Sequence, residues 1–222
     1  MSTTISNAED LVQLLTRMPA DSLLIQHGIS WDEYESLLES VGDSHGLHIS
    51  FDDGTLQIMT LSQKHEMYST LIERIVSLLS LTMRIKVLFY GSATMRKKQK
   101  QKGVEPDACF YVQNANFVST KDEIDFEIDP PPDVVVEVDL HHESLSKFPI
   151  YLALGVPEVW RYDGSSLRIY QLRDEQYVAT EASLSLPLLT SSVLTEFLAR
   201  SPKQDQYDIL LAFEEWLKTQ QH

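Results

Sequence analysis

The stretch Pro131–Lys147, PPDVVVEVDLHHESLSK, combines the pattern of a buried strand with two acidic residues. Its first half predicts a buried strand because four residues there are β-branched, namely Val134, Val135, Val136 and Val138. Glu137 and Asp139 interrupt this run, two residues apart. Alternate strand residues share a face, so these two carboxylates point the same way, about 7 Å apart along the chain. Burying paired acids without a partner is costly, so the pattern raises the question of what they face.

A second acid lies thirty residues earlier, where Pro106-Asp107 begins the strand-like segment EPDACFYV. Two adjacent strands can bring one carboxylate each to the same place, about 5 Å apart across the ladder. Such a pair suits Mg²⁺, which prefers oxygen ligands and keeps several waters. Asp133 is a poor rival, because it lies four residues from Glu137 on one strand, about 13 Å away. Asp107 and Glu137 are therefore the candidate metal ligands.

The residues on either side of this strand predict alternating helices and strands. A helix is predicted over residues 8–18, and another follows Ser30 as N-cap with Glu33 completing a capping box. A β-hairpin is predicted around Asp53-Gly54, followed by the chain's best helix over 62–83.

After the central strand, the sequence predicts a helix over 147–154, in which Pro149 is tolerable only in the first turn and Gly155 closes the helix. Two strands and two C-terminal helices follow. This order predicts an α/β or α+β fold, with a mixed β-sheet core flanked by helices. We expect an N-terminal helical extension over 1–45, a main domain over 46–199 and a C-terminal helix over 200–222.

Composition narrows the class of protein. The 222 residues are 43% hydrophobic and include one cysteine, so a packed core is expected and an internal disulfide is excluded. The N-terminal segment lacks a signal-peptide pattern, and no apolar stretch approaches the roughly 18 residues needed to cross a bilayer. The expectation is a soluble cytoplasmic protein without a membrane partner.

The net charge of −15 argues at first against a nucleic-acid partner, but the charge is unevenly placed. Residues 74–103 contain no Asp or Glu and eight Lys or Arg. The segment RKKQKQK within them is a candidate nucleic-acid contact through Arg96, Lys97, Lys98, Lys100 and Lys102. A solvated loop between strands is the alternative for a short basic run.

These acids resemble the pattern of the PD-(D/E)XK nuclease superfamily. Pro106-Asp107 stands for its PD element and Glu137-Val138-Asp139 for its (D/E)XK element. The wider passages DDGTLQIM, KHE, GVEPDACFYV, PPDVVVEVDL and SLSKFPIYLALGVPEVWRYDG resemble the bacterial Uma-two family of "putative restriction endonucleases". The resemblance covers roughly residues 28 to 199.

The resemblance implies a DNA endonuclease that uses Mg²⁺ or Mn²⁺, with RNA as an alternative substrate and a homodimer as a guess. Asp107, Glu137 and the carbonyl of Val138 would hold the ion. The third element should be lysine, but Asp139 stands there, and in this family the lysine has moved to the following helix, which points to Lys147. Lys147 would orient the attacking water or neutralise the transition state. Asp139 would hold a second ion or orient Lys147.

Two further features bear on the implied site. Family members often have glutamate where Gln57 stands, so a carboxylate near the metal would be missing here. His65 lies on the apolar stripe of its helix and points inward, where it is either a core residue or a contact to phosphate or water in the site.

The candidate residues also have structural alternatives. Glu137 and Asp139 could be a solvent-facing pair, and Asp107 an ordinary turn acid. Lys147 could be an exposed lysine at a helix start, in which case its replacement would cost little stability. Tyr151 is read as a core residue.

The sequence is consistent with three functions. The first is a metal-dependent endonuclease, and the second is a catalytically silent nucleic-acid-binding or protein-interaction module on the same fold. The third is a metal-dependent hydrolase of another phosphoester. Convergence of Asp107, Glu137 and Lys147 in one cleft discriminates the first from the second.

Overall fold

The computed structural model describes residues 14–15, 17–42, 46–141 and 144–221. Two β-sheets organise the chain, in the orders β1-β3-β2-β6-β5 and β11-β10-β9-β8-β7-β4. Their strands are β1 (Leu23–His27), β2 (Leu47–Asp52), β3 (Thr55–Thr60), β4 (Leu88–Gly91), β5 (Met95–Lys97), β6 (Lys102–Val104), β7 (Ala108–Tyr111), β8 (Val134–Val138), β9 (Glu158–Tyr162), β10 (Leu167–Arg173) and β11 (Gln176–Thr180).

Six α-helices surround the sheets in the described part of the chain. They are α1 (Trp31–Val41), α2 (Gln63–Met83), α3 (Ala115–Val118), α4 (Phe148–Leu154), α5 (Ser191–Leu198) and α6 (Gln206–Thr219). Short 3₁₀ turns at Lys98–Lys100 and Ser144–Lys147 complete the elements. None of these helices is long and apolar enough to span a membrane.

The six-stranded sheet forms the centre of the fold. β8 pairs antiparallel with β7 and parallel with β9, and α4 makes the crossover between the two parallel strands. Val134, Val136 and Val138 pack on the face covered by α2, α5 and α6. Val135 packs on the opposite face, against α4. This alternation leaves Glu137 on the α4 face.

The five-stranded sheet is antiparallel and carries α1 on one side. Its β2–β3 hairpin turns at Asp53 and Gly54, whose φ angles are 44° and 84°. Positive φ at both turn positions is what an Asp-Gly hairpin turn requires. β6 leads directly to the strand that follows Asp107, so this sheet and the central sheet meet next to that residue.

The main elements predicted from sequence are confirmed, and the mixed α+β class with them. Ser30 caps α1 in a capping box, and Gly155 ends α4 with φ 80°. The predicted N-terminal helical extension is incomplete, because strand β1 lies within 1–45 and pairs with β3. Residues 1–13, 16 and 43–45 of that extension, including most of the helix predicted over 8–18, lie outside the described residues.

Candidate active site

Strands β7 and β8 place Asp107 beside Glu137. Ala108 lies opposite Val136 in the antiparallel register, so the residue before β7 meets the residue after Val136. The Asp107 amide donates to the Val136 carbonyl at 3.0 Å, and the Val138 amide donates to Asp107 Oδ2 at 2.5 Å. Each carboxylate side chain is 1% exposed. Neither acid is therefore a solvent-facing or ordinary turn residue.

Glu137 is held by two side chains from the segment after β8. Lys147 Nζ lies 2.8 Å from Oε2 and 3.1 Å from Oε1, and the Tyr151 hydroxyl donates to Oε1. Lys147 is the N-cap of α4 and Tyr151 follows four residues later, so both face β8 from the same side of the helix. Tyr151 is a core residue, as predicted, since it is fully buried in the cluster with Ile150 and Leu154, and its hydroxyl also contacts the candidate site.

Burial sets the charges of this group. It raises the pKa of Glu137 to about 7, with help from the charges of Asp107 and Asp139, although the Lys147 ammonium opposes the shift. Burial alone would lower the pKa of Lys147, but the attraction of Glu137 and Asp107 outweighs it, and that pKa is raised. Burial likewise raises the pKa of Tyr151 well above its usual value. Lys147 and Tyr151 therefore keep their protons at neutral pH.

Asp107 lies between two histidines. His48 Nδ1 is 2.7 Å from Oδ1, and His65 Nε2 is 3.2 Å from Oδ2. Burial would raise the pKa of Asp107, but the two imidazoles lower it more and hold it well below its usual range. Burial lowers the pKa of His65, and the Asp107 carboxylate more than reverses this, so the pKa of His65 is raised.

The two imidazoles come from different elements. His65 lies in the first turn of α2, where the side chain of the N-cap Ser62 accepts its amide proton. His48 lies on β2 in the hairpin sheet and is buried. His48 was missed from the sequence, although a histidine within a short buried strand, LHISFD, could have been noticed.

Asp139 is held differently from Glu137. Arg161 Nε donates to Asp139 Oδ2, and the Asp139 amide donates to the Tyr162 carbonyl. Arg161 lies on β9 directly opposite Glu137 in the parallel register. This position brings Arg161 next to Asp139, two residues after Glu137. Arg161 was also missed, and its signal was a cation inside the buried strand EVWRY. A second-ion role for Asp139 stays a prediction.

The five catalytic candidates thus meet in one place. Besides Glu137, Lys147 experiences the charges of Asp107 and Asp139, and His65 experiences those of Glu137 and Lys147. The alternative of an exposed Lys147 is wrong, because its side chain is 11% exposed and contacts Glu137. Asp133, excluded as a ligand from sequence, accepts hydrogen bonds from the amides of Val112 and Asn114 instead.

A cleft of about 890 Å³ lies beside the cluster and reaches it through His48, which contacts Asp107. Asp107, Glu137 and Lys147 converge behind this wall and are not among the residues that line the cleft. The cleft lies between the start of α2 and the edge of the hairpin sheet, and its walls include His48, Ser62, Gln63, Glu66, Thr94 and Glu105. Gln57 accepts a hydrogen bond at 3.4 Å from Ser146, the residue before Lys147. Gln57, where family members often have glutamate, therefore lies next to the turn that carries Lys147.

The basic segment is a hairpin rather than a loop, formed by β5, the 3₁₀ turn and β6. Among the described residues, acids of the same chain contact three of its five cations. Lys98 lies 3.5 Å from Asp32 and 3.8 Å from Glu35, Arg96 lies 3.9 Å from Glu35, and Lys102 pairs with Asp52. Lys97 donates to the Leu154 carbonyl at 3.5 Å, and Lys100 is exposed.

The oxygen atoms of the cluster suit a divalent ion. Carboxylates from Asp107 and Glu137 and the Val138 carbonyl are suitable oxygen ligands. Asp107 Oδ1 is buried, and His48 Nδ1 lies 2.7 Å from it, so an ion at this oxygen would take the place of that contact. Within the described ranges, no group of three His, Cys, Asp or Glu side chains already converges on one point. The residues fit an ion chemically, provided that Asp107 gives up its contact with His48.

The fold and the cluster define a restriction-endonuclease-like α+β protein. The chain belongs to the Uma2 family, described as "Putative restriction endonuclease", whose model matches residues 31–200. Its structure is similar to the crystal structure of "a putative nuclease belonging to DUF820" from Anabaena variabilis ATCC 29413, with a TM-score of 0.52 and 17% identity. That likeness covers 77% of this chain and 99% of the other, and shows a shared fold. No curated protein matches the chain.

Proposed function

We propose that this protein is a divalent-metal-dependent endonuclease that hydrolyses phosphodiester bonds in DNA. The observation that carries the proposal is the meeting of Asp107, Glu137 and Lys147 in one buried cluster beside a cleft. Two carboxylates from neighbouring strands with an adjacent lysine can support metal-dependent phosphodiester hydrolysis. Membership of the Uma2 family supports a nuclease.

Asp107 and Glu137, with the carbonyl of Val138, would hold the ion. When bound, a divalent ion supplies an activated water and stabilises the charge that develops on the phosphate. Val138 fixes the orientation of Asp107 by donating its amide proton to Oδ2. Tyr151 fixes Glu137 in the same way through its hydroxyl.

Lys147 supplies positive charge at the cluster. Because its pKa is raised, it stays an ammonium at neutral pH and can donate to a phosphate oxygen. To do so it must share or release its contacts with Glu137. Arg161 holds Asp139 and keeps that carboxylate oriented on the same face of β8.

A cleavage assay tests this function. The pure protein is incubated with plasmid and with single-stranded DNA, with and without Mg²⁺ or Mn²⁺. We expect metal-dependent cleavage that Asp107→Asn and Glu137→Gln each abolish. Asp174→Asn is the matched control, since it changes one exposed acid in the turn between β10 and β11, where φ is 46° and Asn is tolerated. If Asp107→Asn and Glu137→Gln both cut DNA as well as the wild-type protein, the activity does not depend on these two residues.

A catalytically silent nucleic-acid-binding module is the second candidate. It is favoured by one observation, the occupation of both Glu137 oxygens by Lys147 and Tyr151. Retention of labelled DNA by a wild-type protein that cuts no substrate with either metal would select this function over the first.

A further inference from the structure

Helices α2 and α6 leave a groove between them on the surface of the protein. Gln206, at the start of α6, donates to the Met67 carbonyl near the start of α2. Gln221, just after α6, reaches Met83 at the end of α2, so the two helices run in the same direction. The groove has a volume of about 360 Å³. Because α6 follows the residues matched by the Uma2 family model, one wall of the groove lies outside the matched region.

The groove exposes large apolar side chains. Leu81 and Tyr207 are each 70% exposed, and Leu211 is 44% exposed. Each helix already buries a different apolar stripe in the core, which includes Ile75, Leu79, Ile209 and Phe213. The exposed side chains therefore form a second apolar face, and a contiguous face of this kind on a soluble protein marks an interaction surface.

The residues that line the groove are arranged on two matching helix faces. Each helix contributes positions i, i+3, i+4 and i+7, counted from Arg74 in α2 and from Tyr207 in α6. Seven helical residues span about 10 Å, and packed helices lie about 8–10 Å apart, so the outer positions mark the corners of a near-square. Arg74 and Glu214 lie on one diagonal, and Leu81 and Tyr207 lie on the other.

We propose that this groove binds the same groove of a second copy of the chain, so that α2 and α6 form the interface of a symmetric dimer. A two-fold axis along the diagonal from Leu81 to Tyr207 exchanges the two charged corners. Each Arg74 then faces Glu214 of the partner subunit, while the apolar side chains meet between the two ion pairs. Exchange of position i with position j is the property that a two-fold interface requires. The dimer goes beyond the proposed function and does not depend on it.

The two charged groups are free to form this contact. Arg74 is exposed and donates to the neutral amide oxygen of Gln206 at 2.5 Å rather than to a carboxylate. Glu214 is 41% exposed and lies 3.5 Å from Lys218, but Lys218 is closer to Glu215, at 2.7 Å. Since Arg74 and Glu214 lie at opposite corners of the groove in one chain, they can pair closely only between two chains.

The position of the groove keeps dimerisation apart from the candidate active site. α2 and α6 cover the face of the central sheet to which Val134, Val136 and Val138 contribute. Glu137 lies on the opposite face, where Lys147 and Tyr151 contact it. A dimer formed through α2 and α6 therefore leaves that face of the sheet uncovered.

Sedimentation velocity of the full chain tests the proposal. We expect the wild-type protein to be a dimer at micromolar concentrations and to dissociate on dilution. Leu81→Lys should shift the protein towards the monomer, because it places a charge in the apolar part of the interface. Ile128→Lys is the matched control, since Ile128 is 80% exposed but lies outside the groove. Circular dichroism verifies that both variants are folded.

Charge reversal tests the two-fold arrangement itself. Arg74→Glu and Glu214→Arg should each weaken the dimer by about tenfold or more, because each places two like-charged pairs in the interface. The double variant, which carries both changes, should recover the dimer because it restores opposite charges at both corners.

Three outcomes overturn the proposal. The first is a wild-type protein that stays monomeric at about 100 μM, where a dimer with a dissociation constant of about 1 μM is nearly fully formed. A helix of another protein would then be the occupant of the groove. The second is a dimer that Leu81→Lys and both single charge reversals leave intact, because it forms through another surface. The third is a double charge reversal that remains as weak as the single ones. DNA cleavage enters none of these outcomes, so the dimer and the proposed function can fail independently.

Discussion

The ammonium group of Lys147 lies between the two carboxylate oxygens of Glu137, at 2.8 and 3.1 Å, inside the fold. A buried pair of this kind is weak evidence for stability, because both charges lose their hydration. Removal of one partner is another matter, since it leaves the other charge buried and uncompensated. The Lys147–Glu137 pair therefore couples the stability of the contact between α4 and β8 to the candidate site.

Lys147→Ala should destabilise the protein by about 3–5 kcal/mol, as measured by urea unfolding followed by circular dichroism. Lys100→Ala is the control, because Lys100 is exposed and surface substitutions change stability by about 0.5 kcal/mol or less. The double variant Lys147→Met, Glu137→Gln should recover much of the loss by removing both charges. Equal stabilities of the Lys147 and Lys100 variants would contradict the buried pair.

Glu137 should make the metal-free protein less stable as the pH rises. Its pKa is raised from 4.5 to about 7 on folding, so between these values the folded chain binds more protons at this site than the unfolded chain. Stability from this group is therefore present below pH 4.5 and is lost as the pH approaches about 7. Glu137→Gln should remove this component. The check is the difference in unfolding free energy between wild type and variant at several pH values, and a constant difference would count against the shift.

Part of the candidate site could be predicted from the sequence. Alternation along a strand predicted Glu137 and Asp139 on one face, and the preceding valines indicated burial. The burial of both acids is confirmed. His48 and Arg161 escaped because their roles depend on which strands become neighbours, and periodicity does not specify this. The register that brings Arg161 opposite Glu137 follows from a parallel pairing across α4.

Lys147 illustrates a different limit. Its position before Pro149 identified a helix start, and a lysine at a helix start is usually exposed. Only the packing of α4 against β8 shows that the ammonium enters the fold. Strands β1, β5, β6 and β11 were also missed. β5 and β6 have only three residues each, and β1 and β11 are edge strands without a buried residue, so none of them shows a recognisable apolar pattern.

Gly103 should tolerate no side chain. A Cβ atom there would lie 2.1 Å from the Tyr34 hydroxyl oxygen and 2.6 Å from Cζ of that ring. Gly103→Ala should therefore cost about 1–3 kcal/mol through overpacking, measured by thermal unfolding. Adding Tyr34→Phe should recover part of the loss, because the nearest atom is removed while Cζ remains. A fully stable Gly103→Ala protein would show that α1 and β6 can separate.

In the basic hairpin, the exposed Lys100 should contribute more to DNA binding than the cations that already lie near carboxylates. Lys100 is exposed, whereas Lys98 lies near Asp32 and Glu35. Lys100→Gln should weaken binding to any duplex and flatten the log–log salt dependence by about 0.9. Lys98→Gln should change it less, because that lysine already has anionic neighbours.

The converse change sharpens the test of the hairpin. Replacing Asp32 by Asn and Glu35 by Gln removes both carboxylates near Lys98, so that lysine becomes available to phosphate. The double variant should bind duplex DNA more tightly at low salt and show a steeper salt dependence. Fluorescence anisotropy of a labelled duplex at several salt concentrations gives both quantities. If Lys100→Gln and the double variant both leave affinity and slope unchanged, the hairpin is a solvated connector, and DNA must approach another surface of this acidic chain.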